Sequence, residues 1–512
     1  MKCNEKNLFS KLLAVVLALL MLSQFSFAFA AESEIKIEKN VPQVNVVGLF
    51  GTTVYENTDN VKSNVRWPIS DGRFLNLIQK ESDPMIKSLL TLNGDFLEKI
   101  LIPELKDLFA PFALNSSGEL DNKTGIDFIW PAKSQIKKDS CLDFYYDWRL
   151  DPFETADELA RFIDYVLEAS GCEKIALSAH SCGGVITNAY LAKYGCEKLQ
   201  SVFFVSSAGQ GTTFLGELMS GDFTLKGDSI ENFLKYLFMD SEYENLKAVA
   251  FSLLNRTGVA DALLNLSDSA FSKAYQSLLN DFLIPLFGTW PTMWAMVPDE
   301  YIDKAENYVF ERIFKDDGND YSGLIEKIEN YRVAVREKRT EILLKTNKNC
   351  NLGVFSCYGY SAIPVSSSWY CMTDGVVDTK YTSLGATTAK YGKTLGSSYL
   401  ASADKNSISP DQTIDASTCL FPKQTWFVKN YRHKQFHDDL YALMDAVLYS
   451  KEQMTVDTYE KYPQFLRFDN VSGIIPDQRK TTPEEEKRET FIDAIVEFFE
   501  LMAKWFRKIF NI

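Results

Sequence analysis

Short apolar runs and helix-period stripes alternate along the N-terminal part of the chain. Residues 44–47 (VNVV) read as a buried strand, followed by the loop Gly48-Leu49-Phe50-Gly51. Residues 142–146 (LDFYY) read as a second strand, which ends at Asp147-Trp148-Arg149. Between Thr155 and Ser170, Leu159, Phe162, Ile163, Val166 and Leu167 recur at helical spacing. Asp151-Pro152 opens that helix and Gly171 closes it. Residues 174–178 (KIALS) are again strand-like, Gly183 to Tyr194 helical, and 201–206 (SVFFVS) strand-like. Strands and helices alternating through tight joints predict a parallel sheet with helices on its faces. From Gly209 to Lys348 the pattern changes to long amphipathic segments, among them Ile230 to Phe238 and Ile302 to Phe314, which predict a mostly helical insertion. Strand signals return at 353–358 and 425–428, and a helix is expected from about His437 to Leu448.

The joint between the 174–178 strand and the next helix carries the clearest chemistry. Ser178-Ala179-His180-Ser181-Cys182-Gly183-Gly184 follows the strand–G-x-S-x-G–helix pattern, with Ala179 in place of the first glycine. Small residues flank the serine because the backbone turns too sharply there for bulk. Ser181 then stands over a helix N-terminus, where backbone N–H groups beginning with Cys182 can hold an oxyanion. This marks Ser181 as a candidate nucleophile. In the α/β-hydrolase arrangement that owns this elbow, an acid and then a histidine follow in the chain. Only three histidines exist, and His433 and His437 lie downstream. His437 immediately precedes an apolar-periodic helix and is the expected base. His433, between Arg432 and Lys434, is the runner-up. Asp374, before the turn residue Gly375, is the expected acid, and Asp378 is the alternative.

Composition narrows the remaining possibilities. The chain has 512 residues, 46% of them hydrophobic, the profile of a globular protein. A formal charge of −15 argues against a basic nucleic-acid-binding surface. The start is positive (Lys2, Lys6, Lys11), then apolar from Leu12 to Leu22, and ends in Ala28-Phe29-Ala30. That is the layout of a secretory signal peptide over residues 1–30. The apolar run is well short of the roughly 20 residues needed to span a bilayer. The expected location is therefore secreted or extracellular. Eight cysteines remain without a CxxC pair, so no zinc site is expected. Cys350, Cys357 and Cys371 are close enough in sequence to pair.

Several of these motifs coincide in one family. Tyr146-Asp147-Trp148-Arg149-Leu150-Asp151-Pro152, the elbow Ala179 to Gly184, Val46 to Gly51, and Trp290 to Trp294 through Pro298-Asp299 resemble the lecithin:cholesterol acyltransferase family of α/β-hydrolases, which includes phospholipases and lipid acyltransferases. The resemblance covers about Val44 to Leu448. It implies an α/β-hydrolase fold with an inserted helical cap, Ser181 as nucleophile, Asp374 as acid and His437 as base. It also implies oxyanion N–H groups from Leu49 and Cys182, and a lipid-ester substrate handled without metal or organic cofactor. Val47 stands where relatives often have proline before the glycine, and Ala179 replaces a glycine.

The domain order expected from all this is a core over 31–208, a cap over 209–348, a second core part over 349–450, a linker over 451–482 and a last helix over 483–512. That helix gathers Phe491, Ile495, Phe498, Phe499, Met502, Trp505 and Phe506 on one face, suited to a membrane surface or to packing on protein. In the cap, Phe282, Phe287, Trp290 and Trp294, with Phe233, Tyr236 and Phe238, suit either an acyl groove or the cap's own core. The rival functions are a non-catalytic exported binding protein on the same scaffold and a thioesterase or peptidase with the same triad.

Overall fold

The computed structural model describes residues 37–56, 64–68, 97–121, 124–127, 130–222, 270–362, 370–469 and 472–477. The N-terminal segment, the helix expected at Ile230–Phe238 and the C-terminal helix lie outside these residues. The centre is an eight-stranded sheet. Its strands are β1 (Gln43–Val46), β2 (Cys141–Phe144), β3 (Ile175–His180), β4 (Leu199–Val205), β5 (Asn351–Tyr358), β6 (Thr425–Lys429), β7 (Phe465–Asp469) and β8 (Gly473–Pro476). The spatial order is β8-β7-β6-β5-β4-β3-β1-β2. All neighbours run parallel except β7 and β8.

The central strands show why their sequences lack alternation. β3 (IALSAH) is buried on both faces over nearly its whole length, as a strand covered by helices above and below must be. Helix α1 (Pro152–Ser170) instead buries one stripe, Leu159, Phe162, Ile163 and Val166. Each such side chain contributes roughly 1.5–3 kcal/mol when fully buried. Asp151 caps the start of α1 by accepting from Phe153 N–H at 2.9 Å. Gly171 ends it in the left-handed conformation. Helix α2 (Gly183–Tyr194) is buried on every side through Leu191, so its sequence shows no stripe.

The order of strands places the site. From β1 the chain moves outward to β2, then crosses back to lay β3 on the other side of β1. The carboxyl ends of β1 and β3 therefore flank a topological switch point, where open α/β sheets offer a crevice. Val47–Gly51 leaves β1 at that edge and Ser181 leaves β3 beside it. β5 and β6 deliver the later segments to the same edge.

Between Gly209 and Lys348 the described residues are largely helical, including α3 (Thr213–Met219), α4 (Pro291–Ala295) and most of α5 (Arg339–Asn349). The stretch expected as a linker carries β7 and β8 instead. Leu466 and Ile474 are buried there, in strands too short to show a period. Phe282, Phe287, Trp290 and Trp294 are buried in the main core. Trp290 packs on Trp148 at 5.2 Å and Phe282 on Phe109 at 5.7 Å. These four pack within the protein's own core.

Candidate active site

The elbow is built by close packing. Ser181 takes a positive φ of 54°, a strained conformation for a residue with a Cβ. Its N–H donates to Val205 O at 3.1 Å, and its carbonyl accepts from Gly184 N at 3.0 Å and Ala208 N at 2.9 Å. The two glycines that follow are dictated by contact. A Cβ on Gly183 would lie 2.3 Å from Val46 O, and one on Gly184 would lie 1.8 Å from Ser207 Oγ. α2 therefore starts pressed against the end of β1, which aims its N-terminus at the switch point.

Ser181, His433 and Asp374 form one line. His433 Nε2 is 2.8 Å from Ser181 Oγ, and His433 Nδ1 is 2.8 Å from Asp374 Oδ2. All three are buried. Asp374 is fixed through its other oxygen, which accepts from Val376 N at 3.0 Å and Val377 N at 2.8 Å. His433 is fixed through its backbone, whose N–H donates to Asp374 O at 3.0 Å and whose carbonyl lies 2.9 Å from His180 Nε2. With Nδ1–H donated to the carboxylate, Nε2 is left to accept the serine proton.

The structure places His433 beside Ser181, and not the expected His437. His437 is the N-cap of α6 (Asp438–Leu448), where its ring accepts from Asp439 N–H at 3.3 Å and packs on Phe468 at 5.4 Å. A residue that caps a helix with its ring is committed to that helix, and it is His433 that reaches Ser181. The cationic neighbours that made His433 look superficial are themselves engaged or covered. Arg432 lies over the Tyr360 ring at 5.4 Å, and burial pushes Lys434 down to about 7. The usable signal was strand position: β6 ends at Lys429, and the loop directly after it holds His433.

Asp374 is the carboxylate that meets His433, and Asp378 is not. Asp378 accepts from Thr213 N at 2.8 Å and Thr213 Oγ1 at 2.6 Å, which ties the acid's loop to the start of α3. His180 lies inside the elbow. Burial, and then the neighbouring His433, hold it down to about 3, so it is a neutral positioning group near pH 7.

Cys182 and the loop that holds Leu49 both lie beside Ser181. Cys182 is the N-cap of α2. The loop holding Leu49 passes so close that a Cβ on Gly48 would be 3.1 Å from Ser181 Cβ. The Tyr146-Asp147-Trp148 string grips this loop. Tyr146 Oη donates to Val47 O at 3.0 Å, Tyr146 N donates to Thr52 Oγ1 at 3.0 Å, and Trp148 Nε1 donates to Thr52 O at 3.3 Å. Phe50, at φ 64°, is wedged between Trp67 at 4.8 Å and Trp148 at 4.6 Å. Tyr146 Oη also meets the Cys182 thiol, whose burial pushes it up to about 12. That thiol stays protonated, and the residue has its backbone to offer. Arg149 closes the string with a buried two-point pairing to Asp147, at 2.9 and 2.7 Å, and a bond to Thr124 Oγ1 at 2.7 Å.

Comparison with known proteins agrees with the fold. No curated protein matches the chain. Among solved structures it is similar to a chain of the Tle4-Tli4 complex, at 11% identity and a TM-score of 0.26, over 62% of this chain and 75% of that one. It is also similar to an esterase (EaEST) from Exiguobacterium antarcticum, at 14% identity and a TM-score of 0.15, over 61% of this chain and 94% of that one. At these scores neither likeness bears on function. The family model for the alpha/beta hydrolase fold matches residues 116–440, more than half of the sequence and a span that holds Ser181, Asp374 and His433. The chain belongs to the alpha/beta hydrolase fold family.

Proposed function

We propose that this chain is an exported serine esterase of lipid esters, acting by hydrolysis or by transfer of the acyl group to an alcohol. The observation that carries the reading is the unbroken line Ser181 Oγ–His433–Asp374, with 2.8 Å at both joints. His433 takes the serine proton as Ser181 Oγ attacks the ester carbonyl. The oxyanion settles on the N–H groups of Leu49 and Cys182, each such donor supporting roughly a 100- to 1,000-fold rate gain. The imidazolium, steadied by Asp374, returns its proton to the leaving alcohol, and an acyl-Ser181 ester remains. Water or a second alcohol, deprotonated by His433, releases the acyl group and restores the serine.

The lipid part of the reading is supported by the Tyr146–Pro152 string and by the apolar stripe of residues 491–506, which suits contact with a membrane surface. The export part is supported by the layout of residues 1–30. The test is labelling by a fluorophosphonate probe, followed by a panel of phospholipids, acylglycerols and sterol esters. Labelling at Ser181 with turnover of a lipid ester is expected, and Ser181→Ala removes both. An unlabelled, folded protein overturns the catalytic reading and leaves a binding protein. Labelling with turnover of thioesters or peptides only overturns the lipid part.

A further inference from the structure

All eight described cysteines are free thiols. Six of them face groups other than cysteine. Cys141 meets Asn45, Cys172 the Ser170 carbonyl, Cys182 Tyr146, Cys357 Ser206, Cys371 Asp378 and Cys419 the Ala416 carbonyl. Proximity in sequence therefore misleads for Cys357 and Cys371. The remaining two, Cys196 and Cys350, neighbour each other, and the Cys350 thiol also donates to Thr346 O at 3.4 Å. Both are buried.

Topology accounts for the meeting. Cys196 lies in the turn from α2 to β4, where its carbonyl accepts from Leu199 N at 3.0 Å. Cys350 ends α5 and leads into β5, with its N–H donating to Thr346 O at 2.9 Å. β4 and β5 are adjacent parallel strands, with Ser201 opposite Asn351. Both cysteines therefore sit at the amino end of the sheet, at the far end of the strands from Ser181. The chain between them holds β4 and the whole helical insertion.

We propose that Cys196 and Cys350 are joined by a disulfide in the exported protein, a covalent staple across the base of the insertion. The two thiols together lose two protons and two electrons, and one S–S bond forms. The oxidant is itself a disulfide, either oxidised glutathione or an exported dithiol oxidase, and is reduced to two thiols. One cysteine thiolate attacks the oxidant and expels its first thiolate. The second cysteine then attacks the mixed disulfide and expels the other. Burial raises both thiols, Cys350 to about 12, so exchange belongs to folding, before the pair is covered. An exported location supplies the oxidising setting that such a bond needs. Closing so long a loop chiefly restricts the unfolded chain.

The test needs no catalytic activity. The full-length chain is refolded in a glutathione redox buffer and, in parallel, in dithiothreitol. It is then alkylated under denaturing conditions and mapped by mass spectrometry without reduction. A peptide linking Cys196 to Cys350 is expected in the first sample and not in the second, with a Tm about 5 °C higher for the oxidised protein. C196S and C350S each abolish the link and the Tm difference, and C371S leaves both. Full alkylation of Cys196 and Cys350 after oxidative refolding to the same circular-dichroism spectrum overturns the proposal. So does a link from Cys350 to Cys357 or Cys371.

Discussion

The nucleophile elbow and the base loop meet at one serine, yet they are specified in opposite ways. The elbow is almost entirely local. A buried strand, a serine at positive φ and two glycines that cannot carry a Cβ all lie between Ile175 and Gly184. The base loop is fixed from far away. His433 is held by Asp374, 59 residues off, and meets Ser181, 252 residues off. His437, four positions further on, is the locally specified one, since it caps the helix that follows it. Local patterning thus finds Ser181 and picks the histidine that does not reach it. A triad divides its information between a strained turn, which sequence displays, and a long-range junction, which the sheet assembles.

That contrast can be broken at several points. The largest effect is expected at the long-range junction. Asp374→Asn keeps the size of the side chain but offers an N–H to His433 Nδ1, which forces the other tautomer and points Nε2–H at Ser181. A kcat loss of about 10⁴ with little change in KM is expected from esterase kinetics. A loss below tenfold would detach Asp374 from the chemistry. A smaller effect is expected where the two regions are tied to the oxyanion loop. Tyr146→Phe removes the hydroxyl that joins Val47 O to the Cys182 thiol. A kcat fall of about tenfold is expected, below the cost of losing a whole donor. Tighter binding of a boronate transition-state mimic to the variant would count against the clamp.

The mildest test is one of stability. Desolvation of the half-buried His180 depresses its pKa to about 3, so below pH 6.5 the unfolded chain binds a proton that the folded one refuses. Stability is therefore lost as pH falls from 6.5 toward 3, by at most about 1.4 kcal/mol per pH unit from this group. His180→Gln keeps a donor for the His433 carbonyl without the titration. Its denaturation midpoints should fall less steeply between pH 6 and pH 4 than those of the parent chain. Equal slopes would refute the burial account.

Much of the frame was legible because its cause is local burial. β3, α2 and α1 follow from uninterrupted apolar runs, caps and a clean stripe. Ser181 and Asp374 were legible for a related reason, as each stands at a turn marked by small residues. Strands β7 and β8 were hidden because Phe465–Asp469 and Gly473–Pro476 are too short to show a period and gain their place by pairing with β6 and with each other. His433 was hidden because Arg432 and Lys434 read as a solvated surface. Only the tertiary structure supplies the Tyr360 ring under one and the burial of the other.

The most direct measurement compares the second-order rate of fluorophosphonate labelling in His433→Ala and His437→Ala. The geometry predicts that loss of His433 slows labelling by at least about 10³-fold. Loss of His437 should leave the rate within about twofold and lower only the Tm, by an amount in keeping with a lost helix cap of about 1 kcal/mol. Slow labelling in His437→Ala alongside a parental rate in His433→Ala would contradict the account.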